Sequence, residues 1–420
     1  MKIMTFMRRL RRWLPISPAA LLRLRRVAGV AFRIAALAKV GLLRRQAAPG
    51  PGPVCVVGFH GSVLGLGEAV RGFSAALRLA GAEVVDWDIS ALFGHDVRLD
   101  TAAACKPPDS ASSMVVFLNP LEFVQLLAMT GGAPFRGRYC VGFWFWEQES
   151  APKSWRSAMR YVDEVWTASR FVAGAVAARA PAELTIRVLP CPLLSPTARP
   201  NRARFGLADD KVVVLTAFDV RSGFERKNPH AAVRAFRRAN TDGRAVMVCK
   251  AAGIEGSPAQ IQALRAQIGS SNDVQLMTDW LTGAEMASLI ASADIILSLH
   301  RSEGFGLLPA QGMASGKAVV ATGWSGNLDF MGDEDSALVD YSLIPVNDPQ
   351  GLYSGGLWAE PDVEDAAAKL AEMINDPDRR HAIGARAAAA IARKLDPLVI
   401  GRQAHAWLGH GVGAESPGGS

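Results

Sequence analysis

Apolar residues fall in short unbroken runs separated by polar, helix-patterned stretches. VCVVGF (54–59) is a continuous apolar run suited to a buried parallel strand. The Gly-rich HGSVLGLGE follows, then a helical pattern from Glu68 to Leu79, then a second strand, AEVVDWD. Strand, glycine loop, helix, strand is the opening of a Rossmann-like domain. SMVVFLN (113–119), YCVGFWF (139–145), EVWTAS (164–169) and IRVLPC (186–191) continue it to about Pro192. A second series opens with KVVVLTAFD (211–219) and a helix over His230–Ala239. Strands are predicted at AVMVCKA (245–251), DVQLMT (273–278), DIILSLH (294–300), KAVVAT (317–322) and SALVD (336–340), and Ala-rich helices over Glu364–Asn375 and Arg379–Arg393. The expected fold is α/β, two Rossmann-like domains facing across a cleft. The boundaries read as an arm over 1–49, domains over 50–195 and 196–395, and a closing helix with an unstructured tail over 396–420.

Charge changes this picture at one end only. Of the 46 basic residues twelve precede Glu68, the first acidic residue, and the other 34 fall short of the 39 acidic ones. The net +7 therefore belongs to the arm, which argues against nucleic acid as a partner. Residues 20–45 mix Leu, Val, Ile and Phe with Arg and Lys in a helical pattern, suited to lying in an anionic headgroup layer. No run reaches the roughly 18 apolar residues of a membrane span, and the start lacks the plan of a signal peptide. Five scattered cysteines without CxxC spacing argue against disulfide or zinc frameworks and fit a cytoplasmic protein, peripheral on the inner membrane face through its arm.

The chemistry concentrates in HRSEGFGLLPAQGMASGKAVVATGWSGNLDF (300–330). A strand ends at His300, and a glycine turn leads into a helix near Leu308, at the sheet edge where open parallel sheets bind ligands. Gly304 and Gly306 allow backbone N–H groups close to a ligand, the helix start favours a phosphate, and Glu303 can accept from sugar hydroxyls. Ser325, Gly326 and Asn327 follow a strand facing the same cleft. A DxD pattern, Asp86-Trp87-Asp88, and seven His residues without ligand spacing give no metal site; His60 reads as structural.

SEGFGLLPAQGMASGKAVVATG resembles the signature of the retaining glycosyltransferases with the GT-B fold, family 4 (the glycosyl transferases group 1). The resemblance covers roughly residues 54–400. It implies that Glu303 meets hydroxyls of the transferred sugar, with Gly304, Phe305, Gly306 and Leu307 lining the donor site. A second Glu, expected eight places on to hold the ribose, is Gln311 here, which offers one carbonyl acceptor and an amide donor instead of a charged acceptor. FDVRSGFERKNP (218–229) matches the family loop whose Arg and Lys pair with the donor diphosphate, giving catalytic roles to Arg221 and Lys227 and a donor contact to Arg226. GLGEAVRGF (65–73) matches the glycine loop across the cleft, with Gly65 and Gly67 near the diphosphate; Glu68 and Arg71 read equally as helix-start charge and surface cation. GFWFWEQESAPKSW (142–155) looks like one subgroup, with Glu147 toward the acceptor and Trp144 and Trp146 as stacking candidates or core.

By resemblance, the reaction moves a hexosyl group, with a mannosyl-type donor expected, from a nucleotide-sugar to a glycan or lipid-linked acceptor in surface polysaccharide or glycolipid assembly. It implies no cofactor and no metal. Two alternatives stand beside it: a nucleotide-sugar epimerase of the same fold, and, given Gln311, a non-catalytic sugar-nucleotide or glycan-binding protein.

Overall fold

The structure is a computed structural model that describes residues 48–50, 52–63, 65–99, 101, 111–194 and 198–410. The arm lies almost wholly outside the described residues, as does the tail beyond 410.

The continuous apolar runs form parallel strands because only a sheet covered on both faces buries both sides of such a run. In the first domain β1 (Val54–Gly58), β2 (Val84–Asp88), β3 (Ser113–Val116), β4 (Tyr139–Trp144), β5 (Glu164–Thr167) and β6 (Thr185–Val188) pair in the order β2-β1-β3-β4-β5-β6, all parallel. In the second, β7 (Val212–Asp219), β8 (Ala245–Ala252), β9 (Val274–Met277), β10 (Ile295–Ser298), β11 (Ala318–Thr322) and β12 (Ala337–Val339) pair as β12-β11-β10-β7-β8-β9, again all parallel. The strand order reverses between β1 and β3 and between β7 and β10. A crevice opens at such reversals, at the carboxyl ends of the strands.

Two features depart from the sequence reading, and a third shows where the expected closing helix packs. The first helix spans Gly65–Leu79, so Gly65 and Gly67 form its opening turn and not the loop before it. The reason is room: a Cβ on Gly67 would stand 2.4 Å from the Ser62 carbonyl oxygen and 2.8 Å from that of Phe59. An antiparallel hairpin, β13 (Tyr341–Pro345) with β14 (Leu357–Pro361), follows β12 where the sequence offered no motif. Helix Pro397–His405 returns to the first domain and packs on Gly65–Leu79, so closely that a Cβ on Gly401 would meet the Ala76 carbonyl oxygen at 2.0 Å. Beyond it Trp407 lies 5.3 Å from the Trp166 ring, under the Arg187 guanidinium.

The first-domain core is aromatic. Phe117 stacks on Phe143 at 4.3 Å, and Phe73 meets both from the first helix. Such pairs add about 0.5–1.5 kcal/mol each beyond the area they bury. That stiffness holds the carboxyl ends of β1, β3 and β4 in register at the cleft.

Candidate active site

The segment after β10 is built to hold one carboxylate. His300 is fully buried, the chain turns through Arg301 and Ser302, and Glu303 follows, 7% exposed. The Glu303 amide donates to Ser325 Oγ at 2.8 Å, and the Gly326 amide returns a bond to the Glu303 carbonyl at 2.9 Å. Gly326 admits no side chain, since a Cβ would stand 2.2 Å from the Gly304 carbonyl oxygen. Ser325 holds φ 75°, a conformation that costs a non-glycine residue about 1–2 kcal/mol and that its hydroxyl bond to Glu303 offsets. Gly306, at φ 98°, then starts helix Leu307–Ala314. Ser325 and Gly326 thus fix the Glu303 backbone from the loop after β11, while the Asn327 side chain bonds the Thr322 carbonyl at 3.1 Å.

The opposing charges come from the turn after β7, where Phe224–Lys227 forms a single helical turn closed by Asn228 at φ 51°. Lys227 Nζ donates to Glu303 Oε1 in a very short contact. Arg226 Nη1 lies 3.1 Å from Glu303 Oε2 and donates to the Ser302 carbonyl at 2.8 Å. Its Nε and Nη2 bond the Ser222 carbonyl, so each of the three nitrogens of the 3% exposed guanidinium is engaged. The Lys227 side chain keeps 22% of its surface open to the cleft. Burial alone would raise the Glu303 pKa, but Lys227 and Arg226 outweigh it and hold the carboxyl at about 2. Burial lowers Lys227 against the pull of Glu303 and takes His300 down to about 4. At neutral pH the cluster therefore sets an ionised carboxylate against Arg226 and Lys227, beside a neutral imidazole.

Arg221 is placed elsewhere. It forks onto Asp219 with bonds of 3.0 and 2.8 Å, approaches Glu255 at 4.0 Å, and lies beside Gly253 after β8. Its charge reaches His95 and Asp96 of the first domain. The two cations that meet Glu303 are thus Lys227 and Arg226, with Arg221 farther along the same edge.

The first domain closes the other side. Ser169 Oγ donates to the Gly304 carbonyl at 2.6 Å, and a Cβ on Gly304 would meet the Trp146 carbonyl oxygen at 3.0 Å. Gly65 faces Leu307 across the cleft, 3.6 Å from Cβ position to Cδ1. Glu147 does not stand free toward an acceptor: its Oε2 accepts from Tyr353 Oη at 2.9 Å, and its Oε1 lies 3.9 Å from Arg226. Trp144 is core, whereas Trp146 packs at the cleft between Trp155 and Tyr353. Phe305 turns inward onto Phe330 at 5.1 Å, leaving its backbone as its exposed contribution. Gln311 is half-buried on helix Leu307–Ala314, and no side-chain hydrogen bond engages it among the described residues.

The tempting alternatives resolve structurally. Asp88 accepts from the Gly61 and Ser90 amides, Asp86 pairs with Arg78, and His60 bonds the Val56 carbonyl. Arg71 ties the carbonyls of His60 and Ser62 to the first helix and pairs with Glu68. No group of three or more potential metal ligands occurs among the described residues. The sequence reading passed over His300, Ser169, Gln148 and Tyr353. His300 had a usable signal, as it stands directly after a strand at the ligand edge. Tyr353 had none, because its loop carries no motif.

Residues 200–390 match the family described as Glycosyl transferases group 1. Among curated proteins no match is found. Solved structures share the architecture. Anabaena Alr3699/HepE in complex with UDP and glucose aligns with a TM-score of 0.61 at 16% identity, over 86% of this chain and 100% of that one. Sucrose-phosphate synthase from Thermosynechococcus elongatus gives 0.60 at 14% identity, over 85% and 98%. A glycosyltransferase from Rickettsia africae ESF-5 gives 0.57 at 15% identity, over 86% and 98%. Likeness at these identities establishes the fold, which is GT-B. With the group 1 match seated on the domain that carries Lys227 and Glu303, the chain is a glycosyltransferase.

Proposed function

We propose that the chain is a retaining hexosyltransferase that takes its sugar from a nucleotide-sugar and delivers it to a glycan or lipid-linked acceptor in surface polysaccharide or glycolipid assembly. The observation that carries this reading is the Glu303 carboxylate, buried yet ionised between Lys227 and Arg226 at the strand-order reversal of the second sheet. A carboxylate so held accepts from sugar hydroxyls without becoming protonated, and Lys227 offers an accessible cation to the departing diphosphate. As the anomeric C–O bond to the phosphate breaks, the acceptor oxygen bonds the same face of that carbon. Its proton passes to the leaving phosphate oxygen. Gly304, Gly306 and Leu307 frame the donor by backbone, Gln311 takes the ribose, and Arg221 serves the outer phosphate once Asp219 releases it. Closure of the domains excludes water. No metal takes part in this scheme.

The test is a donor screen of the purified protein, reading released nucleoside diphosphate, with and without EDTA. UDP-sugars belong first in the screen because Alr3699/HepE holds UDP and UDP-glucose, and GDP-mannose second. The expected result is release from one donor, unchanged by EDTA within twofold, with the product linkage keeping the donor's anomeric configuration. An inverted product would sink the retaining mechanism, and an EDTA-sensitive rate the metal-free scheme.

We also place the enzyme on the cytoplasmic membrane face through residues 1–49, whose basic and apolar pattern suits an anionic surface. No helix among the described residues is long and apolar enough to cross a membrane. Deleting 1–49 is expected to lower binding to phosphatidylglycerol vesicles at least tenfold in a flotation assay. Equal flotation of both proteins would remove this placement.

A further inference from the structure

Arg226 is the most buried charge in the cleft, each of its three guanidinium nitrogens is engaged by Ser222, Ser302 or Glu303, and Glu147 stands 3.9 Å away. It therefore holds Glu303 in place. Two carboxylates, Glu303 from the second domain and Glu147 from the first, flank its guanidinium. Tyr353 completes the arrangement. It is 8% exposed, its ring lies 5.8 Å from the Arg226 guanidinium, and its hydroxyl bonds Glu147.

Tyr353 comes from the loop 346–356 between β13 and β14, and that loop is anchored on both sides. Gln350 accepts from the Phe224 amide at 2.6 Å and donates to the Val220 carbonyl at 2.9 Å, which ties the loop to the turn that carries Lys227. Gln148 of the first domain donates to the Gly355 carbonyl at 2.8 Å. The hairpin thus spans from the cation turn to the first domain, with Tyr353 at the junction.

We infer that Tyr353 is a positioning residue for glycosyl transfer. Through Glu147 and Arg226 it sets the Glu303 carboxylate, and it does so only while the two domains are closed. The assignment rests on the glycosyltransferase reading above. Opening the cleft withdraws Glu147, frees the Tyr353 hydroxyl and leaves Arg226 with Glu303 as its only carboxylate partner. Closure thereby aligns Glu303 as it brings the domains together.

Tyr353→Phe tests this with little risk to folding, because the ring contacts with Arg226 and Trp146 remain. The expected result is about a tenfold lower kcat with donor KM within twofold, since Glu303 is set for the transition state and not for initial binding. Combined with Glu147→Ala, the double variant is expected to be no slower than Glu147→Ala alone. A kcat within twofold of wild type, or penalties that multiply, overturns the assignment. A dye pair at Glu183→Cys and Asp242→Cys, one on each domain, supplies a readout independent of turnover. If the parent protein releases nucleoside diphosphate from no donor, the functional reading falls and the dye pair alone decides. Lower energy transfer in Tyr353→Phe then supports the domain coupling, and equal transfer overturns it.

Discussion

Lys227→Ala is expected to lower kcat/KM by about 10²–10³ while the protein folds with nearly wild-type stability. Arg226→Met is expected to do the reverse in emphasis, shifting the melting midpoint down by on the order of 10 °C. The two residues are neighbours in sequence and share Glu303, yet their surroundings divide the work. Lys227 has one partner and an open flank, so removing it still leaves Glu303 paired with Arg226. What is lost is the cation that faces the leaving group, and that loss appears in turnover. Arg226 is buried, and it serves the Ser222 and Ser302 carbonyls as well as Glu303. Methionine fills the volume but leaves those acceptors unpaired in a dry site, and breaking a buried ion pair in this way costs about 3–5 kcal/mol. Thermal melts and steady-state kinetics on the two variants decide the matter. Arg226→Met melting alongside wild type, or Lys227→Ala turning over within fivefold of it, would remove this division of labour.

The division also shows where sequence reasoning stopped. The strands were legible because parallel strands buried on both faces leave unbroken apolar runs, as at 54–58 and 212–215. Glu303 and Lys227 were legible because each sits in a short motif whose glycines and charges are local in the chain. The hairpin was not, since β13 is mostly exposed and shows no periodic apolar face to read. The relation of Arg221 to Arg226 was not either. Spacing alone favours Arg221, while the fold folds it back onto Asp219 and sends Arg226 to Glu303. Likewise the contact of Glu147 with Tyr353 joins residues 206 positions apart, a closeness that only the assembled domains create.

Acid should weaken the fold in a window set first by His300. The residue is fully buried beside Asn327, and two cations stand nearby. Burial is the largest cause of its pKa of about 4, and Lys227 and Arg226 add to it against the opposing pull of Glu303. The unfolded chain binds a proton at His300 below about pH 6.5, whereas the folded chain resists it until about 4. Between those values the unfolded state holds more protons, so stability falls as pH falls. The loss from this one group between pH 7 and 4.5 is about 2–3 kcal/mol. Glu303 acts in a lower window: its depressed pKa gives stability that is present above about 4.5 and lost as pH drops toward 2. His60, also shifted down by burial, works in the same direction as His300 and makes the raw profile a sum. A single substitution isolates the contribution. His300→Leu keeps a similar volume and cannot titrate, so its unfolding free energy from urea titrations should fall less than that of wild type between pH 7 and 4.5, by the stated amount. Parallel profiles for the two proteins would mean that His300 takes up its proton as readily in the folded site as in the unfolded chain.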